Sequence, residues 1–372
     1  MKYVDEFRDG HAARALAAEI AAVVQPDRQY RLMEFCGGHT HAIARYGLSA
    51  LLPDNVELIH GPGCPVCVLP IGRLDGAIAL TLEHGVTLCT YGDTLRVPGS
   101  GRMSLYKARA AGGDVRMVYS VDDALALARA EPQRQVVFFA IGFETTTPPT
   151  ALALLTARAE GLNNFSVYAN HVLTPAAMRH LLASGDGVAL DGFIGPSHVS
   201  TVIGSDAYAD IARDSGKPVV ITGFEPLDVL IGVRMLIEQI NQGRAEVENQ
   251  FIRAVTATGN RKARQVVDEV FALRPVFDWR GLGEVAASAL AIRPEWSAWD
   301  AEVKFGLTTH SVADNKACEC GAILQGRKKP QDCKVFATVC TPDNPLGACM
   351  VSSEGACAAH YAYGRFVSKE PA

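Results

Sequence analysis

No stretch of the 372-residue chain approaches the roughly 18 consecutive apolar residues that a membrane-spanning helix needs. Nor is there an excess of positive charge. The formal net charge of −5 argues against a surface built to bind nucleic-acid phosphates. The first residues, Met1-Lys2-Tyr3-Val4-Asp5-Glu6, are charged and show no apolar signal-peptide core. These absences lead to the expectation of a cytoplasmic protein, in a compartment where thiols stay reduced. Cysteine, too, is scarce through most of the chain. Residues 1–317 hold Cys36, Cys64, Cys67 and Cys89, whereas residues 318–372 hold Cys318, Cys320, Cys333, Cys340, Cys349 and Cys357. In a reducing compartment such thiols point to metal binding or catalysis ahead of structural disulfides. The uneven distribution marks a separate C-terminal module. That module lacks the paired C-x2–4-C knuckles of zinc ribbons and has only the C-x-C of Cys318 and Cys320.

What remains is ordinary for a globular protein, at 48% apolar and 20% charged residues. The length exceeds what one hydrophobic core organises, so two or three domains are expected. Residues 5–24 carry an apolar stripe at helical spacing. From residue 29 strands and helices alternate. Strands are expected at 31–35, 56–59, 86–90, 115–119, 136–141, 165–170, 188–194 and 218–222, with helices at 42–52, 73–83, 120–130, from 147 and from 174. Thr147 is expected as an N-cap with Pro148 at the first helical position. This rhythm predicts an α/β fold with parallel sheets flanked by helices. Residues 227–273 read as helical and 275–296 as irregular. Gly142-Phe143-Glu144 and Gly223-Phe224-Glu225 both follow an apolar strand, and Gly61-Pro62 is matched by Gly195-Pro196. Two similar α/β domains, about 29–146 and 147–240, would account for these echoes, as would chance recurrence of strand-ending glycines.

In parallel sheets, functional groups sit on loops beyond the C-terminal ends of strands. Cys36, Cys64, Asp93 and Glu144 all take such positions. The glycine-proline turn at Gly61-Pro62-Gly63 delivers Cys64-Pro65-Val66-Cys67. Two thiols at that spacing can chelate a metal, form a reversible disulfide or lower one another's pKa. Cys36 is followed by Gly37-Gly38, which leaves its sulfur approachable, and His39 lies close enough to exchange a proton with it or to ligate beside it. Three thiols on neighbouring loops suit Fe(II), Zn(II) or Cu(I). Zinc wants a fourth ligand, and His39 is available. Cys89, inside a strand, reads as a buried apolar residue. In the tail, Cys318, Cys333, Cys340 and Cys357 are spaced C-x14-C-x6-C-x16-C, which suits either an iron–sulfur cluster or a zinc-stabilised module. Spacing does not say which four of the six bind.

The segments CGGHTHAI (36–43), GPGCPVCV (61–68), YGDTLRVPGS (91–100), GFETTTP (142–148) and VCTPDNPLGACMVSSEGACAAHY (339–361) together resemble the HypD family of [NiFe]-hydrogenase maturation factors, from about residue 29 to the C-terminus. The resemblance implies a scaffold that works with a small partner, HypC, and on which an iron ion acquires two cyanide ligands and one carbon monoxide. Cyanide comes from the HypE–HypF pair, and the finished group goes to the hydrogenase large subunit. It further implies two similar α/β domains plus a cluster domain made of residues 241–372 with the N-terminal helix (residues 1–28). By motif, Cys36, Cys64 and Cys67 match the cysteines implicated in holding iron and in thiol redox chemistry, and His39 matches the neighbouring motif histidine. Cys318, Cys333, Cys340 and Cys357 match the ligands of a [4Fe-4S] cluster able to pass electrons to the Cys64/Cys67 pair. Cys320, Cys349, Asp93, Arg96 and Glu144 are left without an assigned role. Two other classes remain as alternatives: a free-standing iron–sulfur thiol–disulfide oxidoreductase, and a zinc-stabilised binding module.

Overall fold

The computed structural model describes residues 4–184 and 189–364. Chain order alternates as expected. The helix α1 (Gly10–Val23) leads into β1 (Tyr30–Glu34), α2 (Gly37–Tyr46), β2 (Val56–His60), α3 (Ile71–Leu82) and β3 (Thr87–Thr90). Next come α4 (Leu105–Ala110), β4 (Val115–Met117), α5 (Val121–Ala130), β5 (Val136–Gly142), α6 (Thr147–Glu160), β6 (Phe165–His171) and α7 (Thr174–Ala183). Then follow β7 (Gly192–Pro196), α8 (Ser197–Ile203), α9 (Ala209–Ser215), β8 (Val219–Thr222), α10 (Pro226–Asn241), β9 (Val247–Asn249) and α11 (Arg261–Val270). The strand expected from residue 188 starts at Gly192, and Val188 itself lies outside the described residues. Among the described residues no helix is long and apolar enough to cross a membrane.

Two parallel sheets result. The first has the order β2-β1-β7-β8-β9 and the second β4-β3-β5-β6. Numbered within each sheet by chain order, the first runs 2-1-3-4-5 and the second 2-1-3-4, so both reverse direction between their first and third strands. The whole β3–β6 unit is inserted between the second and third strands of the first sheet, so each sheet draws strands from either side of residue 146. The sheets thus do not follow the segments 29–146 and 147–240. The glycine echoes also fall on non-equivalent strands. Gly142-Phe143-Glu144 follows the third strand of its sheet and Gly223-Phe224-Glu225 the fourth. They are recurrent strand endings rather than traces of a repeat.

Burial explains the strands. All seven residues of β5 and all seven of β6 are buried, as expected where helices cover both faces of a parallel sheet. Alternate residues of β5 feed different cores. Val136, Phe138 and Ala140 pack with Leu125 and Leu154. Val137, Phe139 and Ile141 belong to a larger core shared with Phe193 and Ile221 of the first sheet and with Cys349 and Cys357 of the tail. That shared core holds the two sheets and the tail against one another. The N-terminal helix, assigned by resemblance to the cluster domain, lies along α10, and its Ala13 and Ile20 join Leu32, Ile194 and Val233 in the core of the first sheet.

Two stretches differ from expectation. Residues 227–273 are not one helix, because α10 stops at Asn241 before Gly243, whose φ is +66°, and β9 then completes the first sheet beside β8. Residues 275–296 are not irregular. The strands β10 (Phe271–Leu273) and β13 (Leu290–Ile292) pair antiparallel around the hairpin of β11 (Val276–Trp279) and β12 (Gly283–Ala286). Strands of three or four residues are too short to show a period of two.

Candidate functional site

In a sheet of order 2-1-3-4, the connections leaving the first and third strands run in opposite directions and open a crevice at the strands' C-terminal ends. The first sheet has that crevice between β1 and β7, and the second between β3 and β5. Both open into one cavity of about 580 Å3. Cys36 and His198 line it from the first sheet, Asp93 and Thr145 from the second, and Ser353 and Glu354 from the tail. Cys64 follows β2, next to residues that line the same cavity, whereas Glu144 turns away to accept hydrogen bonds from the Thr174 amide at 2.9 Å and hydroxyl at 3.1 Å.

Cys36 sits at the start of α2 beside an internal carboxyl group. Glu34, the last residue of β1, is fully buried. It accepts the Cys36 amide at 2.9 Å and the Thr40 hydroxyl, and its Oε1 lies 2.9 Å from His60 Nδ1. His60 ends β2, so one side chain ties the Cys36 loop to the strand that launches the Cys64 loop. Backbone bonds finish the join: Gly61 N–H donates to Glu34 O and Gly37 N–H to Gly63 O. Gly63 packs so closely that a Cβ there would lie 2.6 Å from Cys36 Cα. Cys64 and Cys67 are joined as a disulfide with a Cα–Cα distance of 5.2 Å. The two cysteine loops therefore touch. Burial, reinforced by the charges of Glu354 and Glu34, pushes the Cys36 thiol up to about 12.

The imidazole facing Cys36 is that of His198, whose Nδ1 is 3.8 Å from the sulfur. His39 points elsewhere. Its Nε2 lies 3.0 Å from Gly223 O and 3.2 Å from Thr222 O, so it carries a proton and braces α2 against the end of β8, while burial lowers its pKa. Sequence reasoning stopped at Gly195-Pro196 and missed His198 two residues on. It also missed Glu34, which looked like one more strand residue. Asp93 and Arg96 form a loose pair at 3.6 Å, and Arg96 donates to Val351 O at 2.6 Å. With His41 Nδ1 at 3.4 Å from Ser353 O, the tail is pinned to both sheets.

In the tail, Cys320 shares hydrogen bonds with Cys318, Cys349 and Cys357. Cys340 feels the charges of Cys318 and Cys333, and Cys357 those of Cys318 and Cys340. The hydrogen bond from Cys320 pulls the Cys318 thiol down and pushes Cys320 up. Gly347 is needed here, since a Cβ would strike both the Cys318 and the Cys320 sulfurs. Among the described residues no three His, Cys, Asp or Glu side chains stand as a formed metal site; the thiols bond to one another instead. As a donor set they are all sulfur, mostly buried and mutually close, which suits an iron–sulfur cluster better than a hard cation. A Cβ on Gly355 would lie 3.0 Å from Cys67 Sγ, so the tail also abuts the disulfide.

The family model described as "HypD: Hydrogenase formation hypA family" matches residues 11–364. A hydrogenase maturation factor HypD of Rhizobium leguminosarum bv. viciae is 63% identical, over 99% of this chain and 97% of that protein. One of Cupriavidus necator is 62% identical over 98% of each chain, and one of Escherichia coli (strain K12) is 46% identical over 98% of each.

Two outcomes follow from this geometry. Gly63→Ala forces the Cys36 and Cys64 loops apart and lowers stability by about 1–3 kcal/mol; unchanged denaturant unfolding would contradict the close contact. Burial raises the Glu144 carboxyl from 4.5 to about 7. Between those values the folded chain keeps a proton that the unfolded chain has released, so this group's contribution to stability falls as pH rises through that window and is level above it. Glu144→Gln removes the effect. Its melting temperature relative to the parent should climb between pH 5 and pH 8, and a difference independent of pH would show that Glu144 titrates normally.

Proposed function

The chain belongs to the HypD family of hydrogenase maturation factors, and on that premise we propose that it is a cytoplasmic scaffold for building the Fe(CN)2CO group of a [NiFe] hydrogenase. A HypC-type partner shares the iron ion, HypE charged by HypF supplies cyanide, and the hydrogenase large subunit receives the product. The observation that carries this reading is the contact between the Cys36 and Cys64/Cys67 loops at the mouth of a cavity set between two switch-point crevices.

The iron is cargo. Cys36 offers it a thiol held in the protonated form by burial and nearby carboxyl groups, so binding the cation releases a proton, as thiolate ligation requires. A thiolate donates electron density, which favours cyanide and carbon monoxide on the same metal. Cys64 and Cys67, joined in the structure, take up two electrons and two protons to become a dithiol, which frees two further sulfurs beside Cys36. His39 supports α2, on which the Cys36 loop rests. Cys318, Cys333, Cys340 and Cys357 hold a [4Fe-4S] cluster in this reading, and such a cluster supplies one-electron chemistry. Cys320 and Cys349 stand among those ligands and keep them close.

A free-standing oxidoreductase is a poorer fit. Cys64 and Cys67 are only 2% and 1% exposed, which leaves neither sulfur of the pair presented to a small disulfide substrate in solution.

Protein purified anaerobically with its HypC-type partner should carry iron beyond that of the cluster and show infrared bands of bound cyanide and carbon monoxide. Cys36→Ala should lose both the extra iron and the bands while keeping the cluster's visible absorbance. Retention of the bands in that variant would refute the assignment of Cys36.

A further inference from the structure

The Gly223-Phe224-Glu225 turn after β8 has no part in the scheme above, yet it lies directly behind the Cys36 loop. Its backbone is fixed on both sides. Gly223 N–H donates to Gln250 Oε1 at 3.0 Å, and Glu225 N–H to Asp228 Oδ2 at 3.4 Å. Asp228 is itself buried and paired with Arg253. The Phe224 ring projects from this anchored turn. It packs against His198 with ring centroids 4.0 Å apart and planes tilted by 37°, and against His39 at 4.7 Å and 34°. A Cβ added to Gly38 would meet two Phe224 ring carbons at 2.7 Å. The Phe224 ring thus touches Gly38, in the loop after Cys36, and the histidine opposite that cysteine.

A histidine that serves a metal is normally oriented through its second ring nitrogen, which donates to a carboxylate or carbonyl. Among the described residues nothing hydrogen-bonds His198 Nε2, so besides the Cys36 contact at Nδ1 the ring's direction rests on its packing against Phe224. That direction matters. A thiolate sulfur about 2.3 Å and an imidazole nitrogen about 2.1 Å from one divalent ion at a near-tetrahedral angle are about 3.6 Å apart. Cys36 Sγ and His198 Nδ1 are 3.8 Å apart, so both can face one ion with little movement.

We propose that Phe224 is a positioning residue of the iron site: its ring holds the His198 imidazole so that Nδ1 faces the metal carried by Cys36. This deepens the scaffold reading and rests on it. The pair is a half-site, and the remaining positions belong to whatever brings or removes the iron.

The test uses the full chain with its cluster in place, under anaerobic conditions, and cobalt(II) as the probe. Binding is counted only where Cys36→Ala abolishes it, which removes any contribution from other thiols. Phe224→Leu should weaken that binding by about 10- to 100-fold, the usual effect of losing a ligand's support, and should shift the cobalt visible bands. Phe224→Tyr, which keeps the ring, should restore both. His198→Ala should weaken binding at least as far, and the double variant no further, because the two residues act through one imidazole. Parent-like binding by Phe224→Leu, or additive losses in the double variant, would overturn the proposal and leave the scaffold reading standing. A Phe224→Leu protein whose melting temperature falls as far as its affinity, with no rescue by tyrosine, would reduce Phe224 to a packing residue and overturn it as well. If the parent shows no Cys36-dependent cobalt binding, the scaffold reading falls and takes this one with it.

Discussion

The site is organised around a carboxyl group placed where water cannot reach it. Removing an acidic group from water costs several kcal/mol unless donors replace its hydration. Glu34 finds such partners in the Cys36 amide, the Thr40 hydroxyl and the His60 ring. Each comes from a different place: the loop after β1, the first turns of α2, and the end of β2. Satisfying Glu34 therefore fixes three elements at once. Two loops that end separate strands are brought to the same point, and two glycines, Gly61 and Gly63, let the backbones approach closely enough to share hydrogen bonds. Without the glycines the carboxyl could not be enclosed, and without the carboxyl the glycine-rich loops would have little to hold their conformation.

The second constraint is topological. A 2-1-3-4 sheet has one crevice, at its switch point, and a chain with a single such sheet offers one loop cluster there. Here a second sheet with the same 2-1-3-4 start, one strand shorter, is inserted between strands two and three of the first. Both ends of the insertion are therefore tied to the first sheet, and the shared core, from Phe139 through Phe193 to Cys349, sets the crevices facing one another. The tail closes a third side, bound to one sheet through Arg96 and to the other through His41. Closure from three directions buries the sulfurs, which raises the Cys36 thiol.

Much of this was legible in the sequence, and the parts that were not share a cause. Buried parallel strands announced themselves through apolar runs such as 136–141, and the cysteine-bearing loops through glycine and proline. Periodicity, however, reports whether a strand is buried and says nothing about which strand lies beside it. The insertion was therefore invisible, and the glycine echoes suggested a tandem division. The same limit hid Glu34 and His198. A glutamate closing a strand and a histidine opening a helix look unremarkable until folding sets them against Cys36. His39 was singled out because it is near Cys36 in sequence, but α2 carries its ring away toward Gly223. The resemblance leaves Cys320 and Cys349 without a role, while the fold packs their thiols among the other cysteines of the tail.

A site meant to release its metal has to differ from one meant to keep it. Four protein ligands around an iron ion would make a stable structural centre, with no position for incoming cyanide or carbon monoxide and a high barrier to hand-over. What the cavity and its surroundings present is less than that: one free buried thiol, one imidazole facing it, and two further sulfurs joined to one another. The deficit is chemically useful, since every missing ligand is a position that another molecule fills and can later vacate. Rigidity then takes over the role that ligand number plays elsewhere. In the proposed scaffold, with few donors, each would have to be held at the right angle before the ion comes, which is the part proposed for the enclosed carboxyl behind Cys36 and the aromatic ring behind His198.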